Sequence, residues 1–459
     1  MSPHVLQALE RIVGADWIRR DEASLLAYGT DALKRGRPAD LVVLPASAAE
    51  IAAIARLCNE HEVPLVPRGA GTGYTGGAVP LSGGVVLSLQ RLNRIIEIDE
   101  ASLLAVVEPG VITADLQAAA EARGLFYPPD PQSLNESSIG GNVAECAGGP
   151  RAFKYGVTKR YVLGLEAVLP TGELIRTGSK AVKNVVGYDL TQLLVGSEGT
   201  LAIITQIVLR LVPRPPAVAT LRACFPDIAT AANAVSALIR RRVVAATLEI
   251  VDRESLDAVA AFVGTRLAPE GTGALLLVEV DGVPQAVAAE ALEVEAACLE
   301  AGALEVLVAH DAAERDALWR VRRDLSYALR PIAPRKINND VVVPRGRVPE
   351  LFALVERLRA AHQLRIPAFG HAGDGNIHVN IMIDPADADA VARAQRAVHD
   401  LFAGVVALEG SISGEHGIGF SKAPYLGLEL SDDVIALMKR VKQAFDPRGI
   451  LNPGKIFPA

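Results

Sequence analysis

Apolar positions change rhythm along the chain. Val5, Leu6, Leu9, Ile12 and Val13 recur at helical spacing and stop at Gly14, which predicts a short amphipathic helix. Ser47 and Glu50 form an S-x-x-E capping box ahead of Ile51, Ile54 and Leu57, so a second helix is expected there. From Val63 the texture becomes short apolar runs, at 85–89, 95–98, 103–107, 162–169 and 203–212, divided by Gly and Pro. These read as strands with few intervening helices, and 113–123, closed by Gly124, is the helical exception. Val212-Pro213-Arg214-Pro215-Pro216 reads as a linker, because successive prolines stop both helix and ladder. Beyond it, strands at 221–225, 247–251, 274–280 and 305–309 alternate with helices at 228–240, 285–300 and 311–329. The expected fold class is α+β, the second half carrying its helices on a mainly antiparallel sheet.

Composition removes several function classes. Apolar residues make up 50% and charged residues 22%, which excludes a disordered chain. The 46 Lys+Arg against 53 Asp+Glu, with no basic cluster, argue against a nucleic-acid partner. Cys58, Cys146, Cys224 and Cys298 lie far apart and form no C-x-x-C pair, so neither an intrinsic iron–sulfur cluster nor a zinc ribbon is expected. No run of 18 apolar residues exists, so no transmembrane segment is expected, and the N-terminus lacks the pattern of a signal peptide. A cytoplasmic protein fits, held to a membrane periphery only through a partner.

The 40 glycines concentrate where chemistry is expected. Pro67-Arg68-Gly69-Ala70-Gly71-Thr72-Gly73-Tyr74-Thr75-Gly76-Gly77 contains a literal G-x-G-x-x-G, but the loop runs on to the strand at 85–89 with no helix start. A Rossmann site needs that helix, and a P-loop needs a closing Gly-Lys-Ser/Thr. What remains is a strand–loop–strand whose backbone N–H groups can form an anion nest, or a plain glycine-rich connection. Further small-residue loops at 137–142, 147–156 and 196–201 favour a long phosphate-bearing cofactor lying along the backbone.

Taken together, these motifs resemble the vanillyl-alcohol oxidase (p-cresol methylhydroxylase) class of FAD flavoproteins. Within it the similarity is to the D-lactate dehydrogenase, glycolate oxidase catalytic subunit and D-2-hydroxyglutarate dehydrogenase group. The carrying motifs are 67–77, Pro128-Pro129-Asp130-Pro131, 138–142, 195–200, 370–378, 410–419 and Leu451-Asn452-Pro453-Gly454-Lys455. The resemblance implies an N-terminal helical segment 1–36, a PCMH-type FAD domain of two α+β subdomains at 37–216, and an oxidase C-terminal domain at 217–459. That last domain would hold an antiparallel-sheet substrate cap and a final segment returning to the flavin. Implied FAD contacts are Pro67, Arg68, Gly69, Ala70, Gly71, Thr72, Gly73, Gly76 and Gly77 in the first loop, then Pro129, Asp130 and Ser133. They continue through Ser138, Gly140, Gly141, Asn142, Ala144, Gly148, Gly149, Tyr155 and Gly156 to Glu198, Gly199, Ile204 and Asn452. Relatives with covalent flavin carry His four residues after the loop arginine; Thr72 stands there, so non-covalent FAD is expected.

A second constellation is 369–380. Asp374-Gly375 signals a two-residue hairpin turn, which would set His371 directly opposite His378 on one sheet face, with Asn380 on the same face. Such a pair can hold one cation, or it can be two hydrogen-bonded core histidines. Glu415-His416 between glycines suits a third ligand plus a general base. The resemblance implies the same: His371, His378 and Glu415 for a divalent metal, Zn or Mn, and His416 as catalytic base.

In the helix at 311–329, Arg322 matches the position relatives use to grip a substrate carboxylate, with Ser326 and Asn380 nearby in the same substrate site. Arg320 and Arg323 fit a solvated helix face equally well. Where D-2-hydroxyglutarate enzymes carry a second-carboxylate lysine, this chain has Asn338, and Lys336 is expected at the wrong parity. The expected activity is therefore oxidation of a small D-2-hydroxy acid, D-lactate or glycolate, to the 2-oxo acid with hydride transfer to flavin N5. D-2-hydroxyglutarate dehydrogenase is the alternative. A non-catalytic FAD-binding subunit of a glycolate oxidase complex would have lost the His–Glu–His set, and a synthase of the alkyl-dihydroxyacetone-phosphate kind would need phosphate contacts not found here. Electrons would leave through an iron–sulfur subunit, an electron-transfer flavoprotein, a quinone or a cytochrome, and a homodimer is left open.

Overall fold

Leu41–Val43, Leu65–Arg68 and Val85–Ser88 are almost wholly apolar and buried, as strands covered on both faces must be. In the computed structural model, which describes residues 2–457, they pair in parallel, with Leu41 and Leu65 each beside Val85. Ile18–Arg19 adds an antiparallel edge. The helix Ala48–Glu60, capped by Ser47 Oγ, and the helix Pro3–Val13 bury Ile51, Ile54, Cys58, Val5 and Leu9 in one cluster with Val85 and Leu87. Val42, Val66 and Val86 turn the other way, onto Ala39 and Leu44. The connection between Leu65–Arg68 and Val85–Ser88 contains no helix, so the glycine-rich stretch is itself the crossover between parallel strands. Ile95–Asp99, Leu104–Val107, Ile203–Arg210, Val162–Val168 and Leu174–Gly178 make a second sheet in that spatial order, antiparallel throughout.

The chain divides into two units by its internal contacts. One comprises 1–148, 157–214 and 415–459, the other 149–156 and 215–414. In the first, Leu65 N donates to the Ile450 carbonyl and Leu65 bridges Leu451, which ties the C-terminal stretch to the parallel sheet. Val212–Pro213, inside the stretch expected to be a pure linker, forms a short ladder with Leu125–Phe126. It can do so because Pro213 sits on an edge, where its missing N–H is not needed.

The second unit is built on one seven-stranded antiparallel sheet. Its order is Glu305–Val308, Ala217–Phe225, Ala274–Gly282, Thr247–Asp252, Ala368–His371, Asn376–Ile383, Arg335–Val342. One face carries Cys224, Leu275, Leu277, Val251, Phe369 and Met382 against Ala258 and Val259 of the helix Arg253–Val263 and Leu318 and Leu325 of the helix Ala312–Ala328. Among the described residues no helix is long and apolar enough to cross a membrane.

Candidate functional site

In the first unit the glycine loop packs where side chains would not fit. A Cβ at Gly69 would collide with Ser138 Oγ and one at Gly71 with the Arg68 guanidinium, and Gly71 and Gly76 hold φ values of +76° and +80°. Arg68 spends its own donors on the Thr30 and Ala27 carbonyls, and burial lowers its pKa. A cavity of about 360 Å³ opens along Arg68, Gly69 and Ala70, with Tyr28, Ile112 and Ser138 among its walls. A cradle of backbone and small side chains this size suits part of a long cofactor laid against the chain.

The other residues assigned to the cofactor surround the same loop only in part. The stretch 137–142, expected as loop, instead opens the helix Ile139–Glu145, with the N-cap Ser138 Oγ accepting from Gly141 N at 3.3 Å. The missed signal was Ser138 itself, an N-cap residue whose capping offsets two helix-poor glycines. Its far end docks on the loop 196–201, because Gly196 N and Glu198 N donate to the Val143 and Ala144 carbonyls. Asn452 Nδ2 donates to the Gly77 and Glu198 carbonyls, both at 2.8 Å, and so clasps the loops 67–77 and 196–201 together. Pro129 lends its carbonyl to Gln117, Asp130 is buried, and Ile204 lies inside the strand Ile203–Arg210. Gly148 belongs to this unit, whereas Gly149, Tyr155 and Gly156 fall in the other, where the Tyr155 hydroxyl donates to Asp281 at 2.6 Å.

Glu415 and His416 open the last segment of the first unit. Thr75 Oγ1 donates to the His416 carbonyl at 2.9 Å, and the imidazole stands edge-on to Tyr74, ring centres 5.1 Å apart. The structure thus brings His416 to the glycine loop, with Glu415 Oε1 at 3.9 Å from its Nε2.

In the second unit, a row of side chains crosses four adjacent strands. Glu249 pairs with His371, and His378 with Asp340, on neighbouring strands. The two histidines are not directly opposed as expected: His371 faces Asn376, and Phe369 faces His378. The register slips by two because 372–375 is a four-residue connection. Gly373 N donates to the Leu248 carbonyl and the Gly375 carbonyl accepts from Val343 N, so neighbouring strands claim the groups a tight turn would use. A slip of two preserves the face, so the imidazoles remain diagonal neighbours with centres 5.3 Å apart.

Each imidazole is backed by a buried carboxylate. His371 Nδ1 pairs with Glu249 Oε1, and His378 Nδ1 lies 3.7 Å from Asp340 Oδ1. Glu249 Oε2 takes Arg322 Nε, and the guanidinium lies over the Phe369 ring at 5.0 Å. Burial alone would raise the Glu249 pKa, but the His371 and Arg322 charges outweigh it and lower it to about 2. Imidazoles oriented by carboxylates are the donor set that metal ligation uses. Glu249 and Asp340 were missed from sequence; for Glu249 the available signal was a charge in mid-strand within Thr247–Asp252, where both sheet faces are buried.

The remaining residues expected at the substrate divide. Arg322 is 3% exposed, while Arg320 and Arg323 pair with Asp324 and Asp316 on the solvated side of the helix. Asn380 is wholly buried, accepting from Asn338 Nδ2 at 2.8 Å and donating to the His378 carbonyl. Lys336 overturns its expected parity. The unbroken register Lys336–Met382, Asn338–Asn380, Asp340–His378 puts all of them on one face, and Lys336 Nζ donates to Ser326 Oγ at 3.0 Å. Burial lowers its pKa to about 8, with Arg330 adding to the shift.

Comparison with known proteins bears on the whole chain. Residues 39–178 match a family model described as FAD binding domain, and 214–456 match FAD linked oxidases, C-terminal domain. The chain is 43% identical over 454 residues to the glycolate oxidase subunit GlcD of Bacillus subtilis, covering 99% of this chain and 96% of that one. It is 37% identical over 458 residues to a D-lactate dehydrogenase of Anaerostipes hadrus, covering 98% and 95%. The solved structure of p-cresol methylhydroxylase superposes with a TM-score of 0.82 at 18% identity, covering 99% of this chain and 96% of that one, which establishes the shared fold.

Proposed function

The chain belongs to the FAD-linked oxidases, and we propose that within that family it oxidises a small D-2-hydroxy acid, D-lactate or glycolate, to the 2-oxo acid. Its cofactor is FAD. The observation that carries the substrate class is the buried chain Arg322–Glu249–His371: a bidentate cation suited to a carboxylate stands one carboxyl away from an oriented imidazole.

Bound FAD supplies the two-electron acceptor. The walls of the 360 Å³ cavity, the loop 69–77 and the Asn452 clasp are the parts of this chain suited to hold it. His371 and His378 would hold a divalent cation, Zn or Mn, whose contribution is Lewis acidity toward the substrate hydroxyl. Arg322 binds and orients the substrate carboxylate, and Glu249 fixes that guanidinium so that little side-chain entropy is lost on binding. His416 accepts the hydroxyl proton.

We hold the FAD to be non-covalent, because Thr72 occupies the position where a histidine would be joined. Acid precipitation should leave a colourless pellet and a yellow supernatant; a yellow pellet would refute it.

One observation favours a second substrate. Lys336, on the Asn338–Asp340 face beside Ser326, is a half-buried cation that could meet a second carboxylate, as in D-2-hydroxyglutarate. Initial rates with an artificial dye acceptor should rank D-lactate or glycolate at least about 10-fold above D-2-hydroxyglutarate in kcat/KM. The reverse order would assign the enzyme to the dicarboxylate. Electrons leave through an external acceptor, for which an iron–sulfur subunit, an electron-transfer flavoprotein, a quinone or a cytochrome are the candidates. This is consistent with a chain whose four cysteines are all free thiols.

A further inference from the structure

Glu145 ends the helix Ile139–Glu145 and has no part in the site as assigned so far. Its carboxyl reaches into the ring of loops: a Cβ built at Gly77 would stand 2.6 Å from Glu145 Oε1. A Cβ at Gly417 would collide with Glu145 and Glu198 together, so the two carboxyls share one small space beside the loop that carries His416.

Their surroundings differ in a way that decides which one keeps a charge. Burial raises the Glu198 pKa too, but Glu198 accepts from Ile418 N at 2.7 Å and from Gly419 N at 2.6 Å, two donors that favour a carboxylate and hold that rise below the one at Glu145. Glu145 Oε2 is buried and has no hydrogen-bond partner. Two like charges this close cannot both persist away from water, and the carboxyl without donors is the one that takes the proton. Burial, reinforced by the Glu198 charge, accordingly pushes Glu145 well above the usual carboxylate range. The charged groups facing the pair are Lys455, whose Nζ is committed to the Val79 carbonyl and Asn452 Oδ1, and Lys422, which acts on Glu198. Burial lowers Lys455 to about 8, so it is a weakened counter-charge.

We propose that Glu145 is the protonated member of a Glu145–Glu198 carboxyl pair and presents a neutral carboxylic acid, a hydrogen-bond donor, to the bound FAD. The proposal rests on assigning the loop 69–77 and the Asn452 clasp to the cofactor. A neutral donor at this place accommodates an electron-rich cofactor, whereas a second carboxylate would oppose each electron it gains. Glu145 is thereby a positioning residue for the redox step.

The test uses the FAD-bound protein. Its infrared spectrum at pH 7 should contain the carbonyl stretch of a protonated carboxylic acid, and Glu145→Gln should remove it. In Glu198→Gln the same band should titrate at lower pH, because the like charge that helps to hold the proton is gone. Glu145→Gln, neutral and still a donor, should keep FAD affinity near wild type, while Glu145→Leu should weaken it about 5- to 10-fold. A wild-type spectrum unchanged by Glu145→Gln, or full FAD affinity in Glu145→Leu, would overturn the proposal. Failure of the wild-type protein to bind FAD would instead sink the assignment of the loops.

Discussion

Replacing Glu249 should damage stability, cation binding and substrate binding at once. The side chain is wholly buried, with one oxygen on His371 and the other on Arg322, itself only 3% exposed. Glu249→Ala leaves the guanidinium charged and uncompensated away from water, which costs on the order of 3–5 kcal/mol. Glu249→Gln keeps the shape and isolates the chemistry. The imidazole loses the partner that sets its orientation, and affinity for Zn or Mn should fall about 10- to 100-fold. KM should rise in parallel as Arg322 loses its fixed pose. Denaturant unfolding of the Ala variant and metal titration of the Gln variant provide the readouts. A Gln variant with wild-type metal affinity and KM would show that the row Glu249–His371–His378–Asp340 is only sheet packing.

His416→Ala should act on a different quantity. Its carbonyl is anchored by Thr75 and its ring stands against Tyr74, so truncation leaves the glycine loop's backbone bonds in place. The reduction rate of bound FAD by saturating substrate should fall by about 10²- to 10⁴-fold, the range for a lost general base. FAD affinity should change little. A reduction rate equal to wild type would remove His416 from the proton-transfer role, and a parallel loss of FAD would make it a cofactor-positioning residue.

Local signals in the sequence expressed much of this. The glycine loop read as strand–loop–strand because it runs on to the apolar stretch 85–89 with no room for a helix, and the structure has a parallel crossover there without a helix. Face was more legible than register: Asp374-Gly375 pointed to a two-residue turn, but the Leu248 carbonyl and Val343 N–H, distant in sequence, captured the connection. The error moved His371 by two residues, which the period of a strand forgives. Lys336 went wrong for the opposite reason, since its parity could be counted only once an unbroken strand Arg335–Val342 was known. Glu249 and Glu145 were not found because their meaning is tertiary. A glutamate in an apolar strand or at a helix end looks ordinary until its buried neighbours are in view.

The central claim is that this chain binds FAD and reduces it with a D-2-hydroxy acid. Anaerobic mixing of the FAD-loaded protein with D-lactate, and separately with L-lactate, tests it by flavin absorbance alone, with no electron acceptor needed. The account predicts prompt bleaching by the D enantiomer and little or none by the L enantiomer. Bleaching by neither D-lactate nor glycolate nor D-2-hydroxyglutarate, in protein that visibly holds FAD, would contradict it.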